Sequence, residues 1–523
     1  MLDWNRLLIQ ERIRKSRSVT PEERSEFERD YHRIIISASF RRLQDKTQVF
    51  PLDPSDFVRT RLTHSLEVSS LAKSLGLQVG IRLQKEADDL RQKFAASQRA
   101  SADSPKDFPA SYTFSVAKGL ESDGADLSIP SAAQRQHIGN ILLCAGLVHD
   151  IGNPPFGHYG ETTIRAWFAR SLVRLHFKGR PLSYWLSPQM QQDFLKFEGN
   201  AQALRLLSKL HFVVDEYGMN LTIPLLATII KYPYSSIDRL SDGTEPKKIG
   251  YFFSEQTTFA ELVRQCGLQS DRSAASVAGT ADAVCRHPLS FLLEAADDIA
   301  YATADIEDGY RKDKFSFMQL VAEVEFCRRQ NETVPETADF VVRLRDKLNQ
   351  LLDEGHGKGI HKPEYYALQN WLIYLQSVLM QYTETAFIDN YVAIMSGAFT
   401  TPLLEINPYS KVLIHLLGDI AQKYIFSSRQ IVQMEIAADK IISSLLDKFI
   451  PAAIDFDTDV ELPPVRKRLM AIVSDNYRQN YFREAAGKSE EERLYHRLLL
   501  ITDYISGMTD GFAKGLFQQM SGF

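Results

Sequence analysis

Apolar residues recur at three- to four-residue spacing along most of the chain, in Pro21–Gln44, Leu62–Ala96, Gln136–Ile151, Glu161–Phe177, Gly199–Leu210, Leu289–Tyr310 and most of Phe315–Gln381. That spacing predicts amphipathic helices. After Pro402 it returns in KVLIHLLGDIAQKYIF, RQIVQMEIAADKIISSLLDKFI and ERLYHRLLLITDYISGMTDGFAKGLF. Strand-like alternation is confined to LHFVVDEYG (210–218) and IGYFFSE (249–255). The expected fold class is mainly α, a helical bundle with an appended helical C-terminal region and a few short strands. No segment repeats at a period of 20–50 residues, which excludes a solenoid.

Two polar stretches interrupt the pattern. Residues 101–134 are rich in Ser, Ala, Asp, Gly and Pro and poor in large aliphatics, as in a surface insertion that is at least partly flexible. Residues 234–248 are polar and marked by Gly and Pro, like loops that close over a substrate. At 523 residues the chain is long for one core. A core over 1–310, holding the insertion, and a C-terminal region over 311–523 that completes a substrate pocket and makes oligomer contacts are the expected division. Hydrophobic content of 44% and charged content of 24% are those of a soluble globular protein. No apolar run approaches membrane-spanning length and the first residues carry no signal-like stretch, so no membrane association and a cytoplasmic location are expected. Four cysteines without C-x-x-C spacing argue against a zinc ribbon and a disulfide framework. A net charge of −5 provides no global field for a polyanion, so a phosphate-bearing ligand needs a local basic cluster. Arg41, Arg42, Lys46, Arg59, Arg61, Lys231, Lys247 and Lys248 are the candidates.

His64, His149-Asp150 and Asp297 sit in three segments that read as helical, RTRLTHSLEV, CAGLVHDIGNPPFGHYGE and LLEAADDIAYATADIEDGY. With 12 His and 66 acidic residues in the chain, a His followed by an acid arises about 1.5 times by chance, so the dipeptide alone is weak. Its setting is stronger. Ile141–Val148 is apolar and helix-length, the pair stands at its polar end, Gly152 can cap it, and Pro154-Pro155 forbids its continuation. Two imidazoles and two carboxylates suit a divalent ion, Mg or Mn, or Fe, Co or Zn. Each residue alone also has a plain role, as a surface histidine, a helix-end carboxylate or a capping acid. Asp297, Tyr301 and Asp305 fall at i, i+4 and i+8 on one helical stripe. His158 and Glu161 fall at i and i+3 across a helix start, where a carboxylate raises the basicity of an imidazole and orients it, or merely caps the helix.

In order along the chain stand FRRLQDKTQVF (40–50), RTRLTHS (59–65), HDIGNPPFGHYGE (149–161), FEGNAQALR (197–205), KYP (231–233), KKIGYFFSE (247–255) and EAADDIAY (294–301). In these blocks the chain resembles the HD-domain phosphohydrolases, and within them the deoxyguanosine triphosphate triphosphohydrolases. The resemblance implies an HD-type helical bundle and hydrolysis of dGTP, or of other deoxynucleoside triphosphates, to deoxynucleoside and inorganic triphosphate. It assigns the metal to His64, His149, Asp150 and Asp297 rather than Asp298, and acid–base catalysis to His158 and Glu161. Gln48 is placed on the sugar 3′-hydroxyl, and Arg61, Lys231 and Tyr232 on the phosphates. Tyr301, with Asp305 on its stripe, is placed against a deoxyribose. Glu405 in GAFTTPLLE matches an acidic position that reads guanine, with Lys440 as the candidate basic partner. Homo-oligomers are typical of the family. Low overall basicity disfavours an extended nucleic-acid surface and leaves room only for a groove. The alternatives are an HD phosphohydrolase acting on another nucleotide phosphoester, against which Gln48, Tyr301 and KYP argue, and a nucleotide-sensing or nucleic-acid-binding protein with a weak metal site.

Overall fold

The computed structural model describes residues 1–14, 24–52, 55–100, 128–211, 218–240, 245–269 and 284–522. Most of the expected insertion and most of the strand-like 210–218 segment lie outside them. Helices dominate, and the mainly α expectation holds. The one sheet among the described residues is a two-stranded antiparallel hairpin, His176–Phe177 with Arg180–Pro181.

The chain divides into two compact units that alternate along the sequence. The first comprises Met1–Leu8, Glu67–Gly146 and Pro288–Ser428. In it the Pro288–Arg311 helix packs on the Pro363–Asp389 and Pro408–Ile420 helices, while Pro335–Gly357 packs on Phe317–Gln330 and Pro363–Asp389. Their apolar faces meet in a core that contains Leu344, Leu348, Trp371, Leu375 and Leu379. Trp371 is fully buried and its indole N–H donates to the Leu344 carbonyl at 2.9 Å, so burial leaves that donor satisfied. Ser316 and Gln319 form a reciprocal capping box that starts the Phe317–Gln330 helix.

The second unit comprises Ile9–Leu66, Leu147–His287 and Arg429–Phe523. Here the His158–Ser171 helix packs on Arg429–Ile454, which packs in turn on Glu490–Ser506. Beneath lies a buried charged cluster. Arg205, 1% exposed, donates to Asp503 at 2.8 Å, Glu484 at 2.9 Å and Glu255 at 2.9 Å. Lys209 adds a bond to Glu484 at 2.8 Å. Burial opposes the charge on Glu484, but Arg205 and Lys209 hold its pKa well below the ordinary carboxylate range.

Several element limits differ from those the spacing predicts. The expected Pro21–Gln44 helix is described as Glu26–Ile35, then Ala38–Arg42 and a 3₁₀ turn at Leu43–Asp45. The break falls at Ser37, whose hydroxyl accepts the Phe40 N–H at 3.1 Å and begins a new helix. The Glu161–Phe177 helix starts earlier, at His158, and stops at Ser171, its last expected residues entering the hairpin. IGYFFSE is not a strand. Ile249 to Phe252 are buried as a continuous run in a loop, with Tyr251 stacked on Phe259 at 4.1 Å, before a 3₁₀ turn at Phe253–Glu255.

Candidate active site

The Ala132–Val148 helix ends one residue before His149, so the His-Asp pair occupies the following turn instead of the helix itself. The turn is closed by Ile151 N–H to the Val148 carbonyl at 3.1 Å and Asn153 N–H to the Asp150 carbonyl at 3.2 Å. Gly152 is not a left-handed cap. It is required because a Cβ there would collide with the backbone of Gly199 and Ala203, against which the turn is pressed.

His64 lies in the first turn of the Arg61–Ala100 helix, held by its N–H to the Thr60 carbonyl at 3.0 Å. Its ring is fully buried and meets the buried His149 ring edge-on, with centroids 5.4 Å apart and planes at 63°. One donor atom each from His64, His149 and Asp150 lies within 4.8 Å of the others. That separation is near the span of two metal–ligand bonds of about 2.0–2.2 Å each. Two buried imidazoles and a carboxylate are the donor chemistry a divalent ion takes, so the residues fit such a group. Asp150 is oriented from both sides. Asn153 Nδ2 donates to its Oδ1 at 2.7 Å and Arg61 Nη1 donates to its Oδ2. Outer contacts of this kind fix a ligand's direction.

After Pro154-Pro155 the chain turns through Phe156 (φ 61°) and Gly157 (φ 57°) into the helix that opens with His158. At Gly157 any side chain would be strained and would strike the Arg61 guanidinium. His158 is largely exposed, and its Nδ1 meets Glu161 Oε2 at 3.1 Å. Glu161 is buried and held at three points, which is more than helix capping requires. It also accepts from Arg165 at 3.0 Å and, through Oε1, from the Gly199 N–H at 2.7 Å. The hydrogen bond to Glu161 raises the His158 pKa above its usual value, against burial and the nearby Arg165 and Lys248 charges. Burial, then the Glu161 charge, pushes Glu198 upward.

Gln48 is half-buried, and its amide oxygen has no hydrogen-bond partner among the described residues. Arg61 is buried and engaged to Asp150, so it serves the ligand turn first. Its Nε has no partner among the described residues. Lys231 and Tyr232, both half-buried, lie in the loop after the Ile223–Ile229 helix, with Lys248 Nζ 5.5 Å from the Tyr232 ring centroid. The remaining expected residues belong to the first unit. Asp297 is half-buried on the Pro288–Arg311 helix, Tyr301 is 39% exposed and stacks on Phe426 at 6.4 Å, and Asp305 is buried. Glu405 ends a 3₁₀ turn and pairs with Lys411 at 3.0 Å and His415 at 3.2 Å. Lys411 is its basic partner in that unit, while Lys440 lies on the Arg429–Ile454 helix of the other.

Three positions around the site escaped sequence reasoning. Arg165 stands four residues after Glu161, a helical spacing that was available as a signal. Asn153 and Glu198 carried no comparable mark.

No family model matches the chain. Curated proteins do. A protein of Listeria innocua named deoxyguanosinetriphosphate triphosphohydrolase-like protein is 41% identical over the whole of both chains. One of the same name from Synechocystis is 31% identical over 100% of this chain and 99% of its own. A deoxyguanosinetriphosphate triphosphohydrolase of Enterobacter is 31% identical over 94% of this chain and 93% of its own. With full-length identity at this level on top of the His64, His149 and Asp150 cluster, the chain belongs to the deoxyguanosinetriphosphate triphosphohydrolase family.

Proposed function

We propose that this protein hydrolyses dGTP, with other deoxynucleoside triphosphates as poorer substrates, to the deoxynucleoside and inorganic triphosphate. The observation that carries the reading is the His64–His149–Asp150 donor cluster in one unit with the His158–Glu161 pair, in a chain of this family. On the family pattern Asp297 is the fourth ligand. A bound Mg²⁺ or Mn²⁺ would supply Lewis acidity toward the α-phosphoryl group. Arg61 orients Asp150 and offers its Nε to a phosphoryl oxygen, and Lys231 and Tyr232 meet the remaining phosphate charge. The unfilled Gln48 oxygen accepts from the sugar 3′-hydroxyl. Tyr301, with Asp305 on its stripe, packs against the sugar where a 2′-hydroxyl would clash. His158 protonates the departing 5′-oxygen while Glu161 fixes the ring. Inorganic triphosphate released from dGTP by the purified protein with Mg²⁺ or Mn²⁺ is the expected result; monophosphate or pyrophosphate release instead would reject the reading.

The raised His158 pKa sets the sign of the pH dependence. The imidazolium survives above its ordinary range, and acid catalysis is lost as pH rises through the raised value. Glu161→Gln removes the first cause of that shift. The alkaline limb of kcat/KM is expected to move to lower pH in this variant, and a limb that stays in place would assign it to another group.

Guanine selection is proposed to rest on Glu405. A carboxylate accepts from guanine N1–H and the 2-amino group together, whereas adenine presents no donor there. Lys411 and His415 hold the Glu405 pKa below its usual value against burial, so it is an acceptor at neutral pH. Glu405→Ala is expected to lower the dGTP-to-dATP ratio of kcat/KM by about tenfold or more. An unchanged ratio would remove Glu405 from base recognition.

A further inference from the structure

The turn that leads into His158 is held by the other end of the chain. Phe156 has a left-handed backbone, which is strained for a bulky residue and persists only where neighbours enforce it. Its N–H donates to Asp510 Oδ1 at 3.0 Å. Asp510 Oδ2 accepts from the Thr47 N–H at 3.1 Å and the Thr47 hydroxyl at 2.5 Å. Beside it Lys46 Nζ donates to the carbonyls of Asn153 at 2.5 Å and Ser506 at 2.8 Å. Both side chains are out of water, Asp510 at 1% and Lys46 at 3% exposure. Burial pushes the Lys46 ammonium down to about 7, with Asp510 pulling the other way.

Asp510 opens the Asp510–Ser521 helix, where an acid is ordinarily explained by the helix dipole. That helix already has its cap, since Thr509 accepts the Phe512 N–H at 3.2 Å. The three Asp510 contacts above are to Phe156 and Thr47, and none of them is to its own helix. We infer that Asp510 is a positioning residue for catalysis: its carboxylate locks the Phe156–Gly157 turn and thereby aims His158. This rests on the reading of His158 as the acid. Thr47, next to Gln48, is anchored by the same carboxylate, so one buried group ties the sugar-side and acid-side segments together.

The test compares metal-loaded full-length protein with Asp510→Ala and Asp510→Asn. Asparagine keeps the shape and one acceptor oxygen, so it can serve either Phe156 or the Thr47 pair but not both. Expected for Asp510→Ala is a kcat lower by roughly 10- to 100-fold, with KM within about threefold and metal content unchanged. Asp510→Asn should fall between it and the parent. Two readouts do not depend on turnover. Hydrogen exchange at Phe156 is expected to accelerate. The His158 ring, which faces Glu161, Arg165 and Lys248, is expected to titrate lower by NMR as its hold on Glu161 loosens. A residue that merely supports the fold would lower the melting temperature and leave both kcat and the His158 titration unmoved, which overturns the inference. If Asp510→Ala does not fold, the same criteria apply to Asp510→Asn. If the parent protein releases no triphosphate, the proposed reaction fails, and the exchange and titration then decide Asp510 by themselves.

Discussion

Replacing His149 by alanine is expected to cost the protein its metal and its triphosphate release together. The ring is 6% exposed and packs edge-on against His64, so nothing from solvent takes its place, and a shell that lacks one protein ligand binds weakly. Activity should fall by at least about 10³-fold, because Lewis acidity toward the phosphoryl group is lost with the ion. Removing the Asn153 amide, which donates to Asp150 and orients it, should cost less, on the order of 10- to 100-fold. Elemental analysis of purified protein with a steady-state assay measures both. His149→Ala that retained a full equivalent of metal while inactive would take His149 out of the ligand set. On the family pattern Asp297→Ala should behave like His149→Ala and Asp298→Ala like the parent.

The second large effect concerns stability. Arg205→Met keeps most of the side-chain volume and removes the charge that faces Glu255, Glu484 and Asp503. Lys209 would then pair with Glu255 and Glu484, while the buried Asp503 would lose the guanidinium it faces, and breaking a buried ion pair from one side costs about 3–5 kcal/mol. Equilibrium urea unfolding at neutral pH should show a loss of that size. The deficit should shrink as pH falls, because protonation neutralises carboxylates that have lost their counter-charge. A loss under about 1 kcal/mol, or one that grows on acidification, would mean that the cluster does not stabilise the fold as the pairing implies.

How far the sequence carries depends on whether a feature is local. Spacing found the Arg61–Ala100 and Pro288–Arg311 helices to within a residue or a few, because each buries a face over many turns. It missed the stop at Ser37, which one hydroxyl decides, and read IGYFFSE as a strand because an aromatic-rich apolar run looks the same whether a strand or a buried loop carries it. His64, His149 and Asp150 were legible through the blocks around them. Arg165 was legible in principle from its spacing to Glu161, Asn153 beside Asp150 carried no mark of its own, and Asp510 was not legible, since its role comes from partners fixed by tertiary packing. For Asp510 those partners lie more than 350 residues away. Gly152 was read correctly as special but for the wrong reason, a cap in place of a close approach to Gly199 and Ala203.

The alternation of the two units along the chain bears on how the molecule is made. The unit that holds His64 and His149 needs the Arg429–Phe523 segment, on which the His158–Ser171 helix packs and in which Asp503 meets the buried Arg205. At roughly 5–20 residues per second, translation leaves tens of seconds between synthesis of the first and last of these segments. Through that interval the early helices leave the ribosome with their apolar faces uncovered. A high contact order of this kind predicts slow folding, a need for chaperone shelter during synthesis, and aggregation of chains released before the last helices are complete.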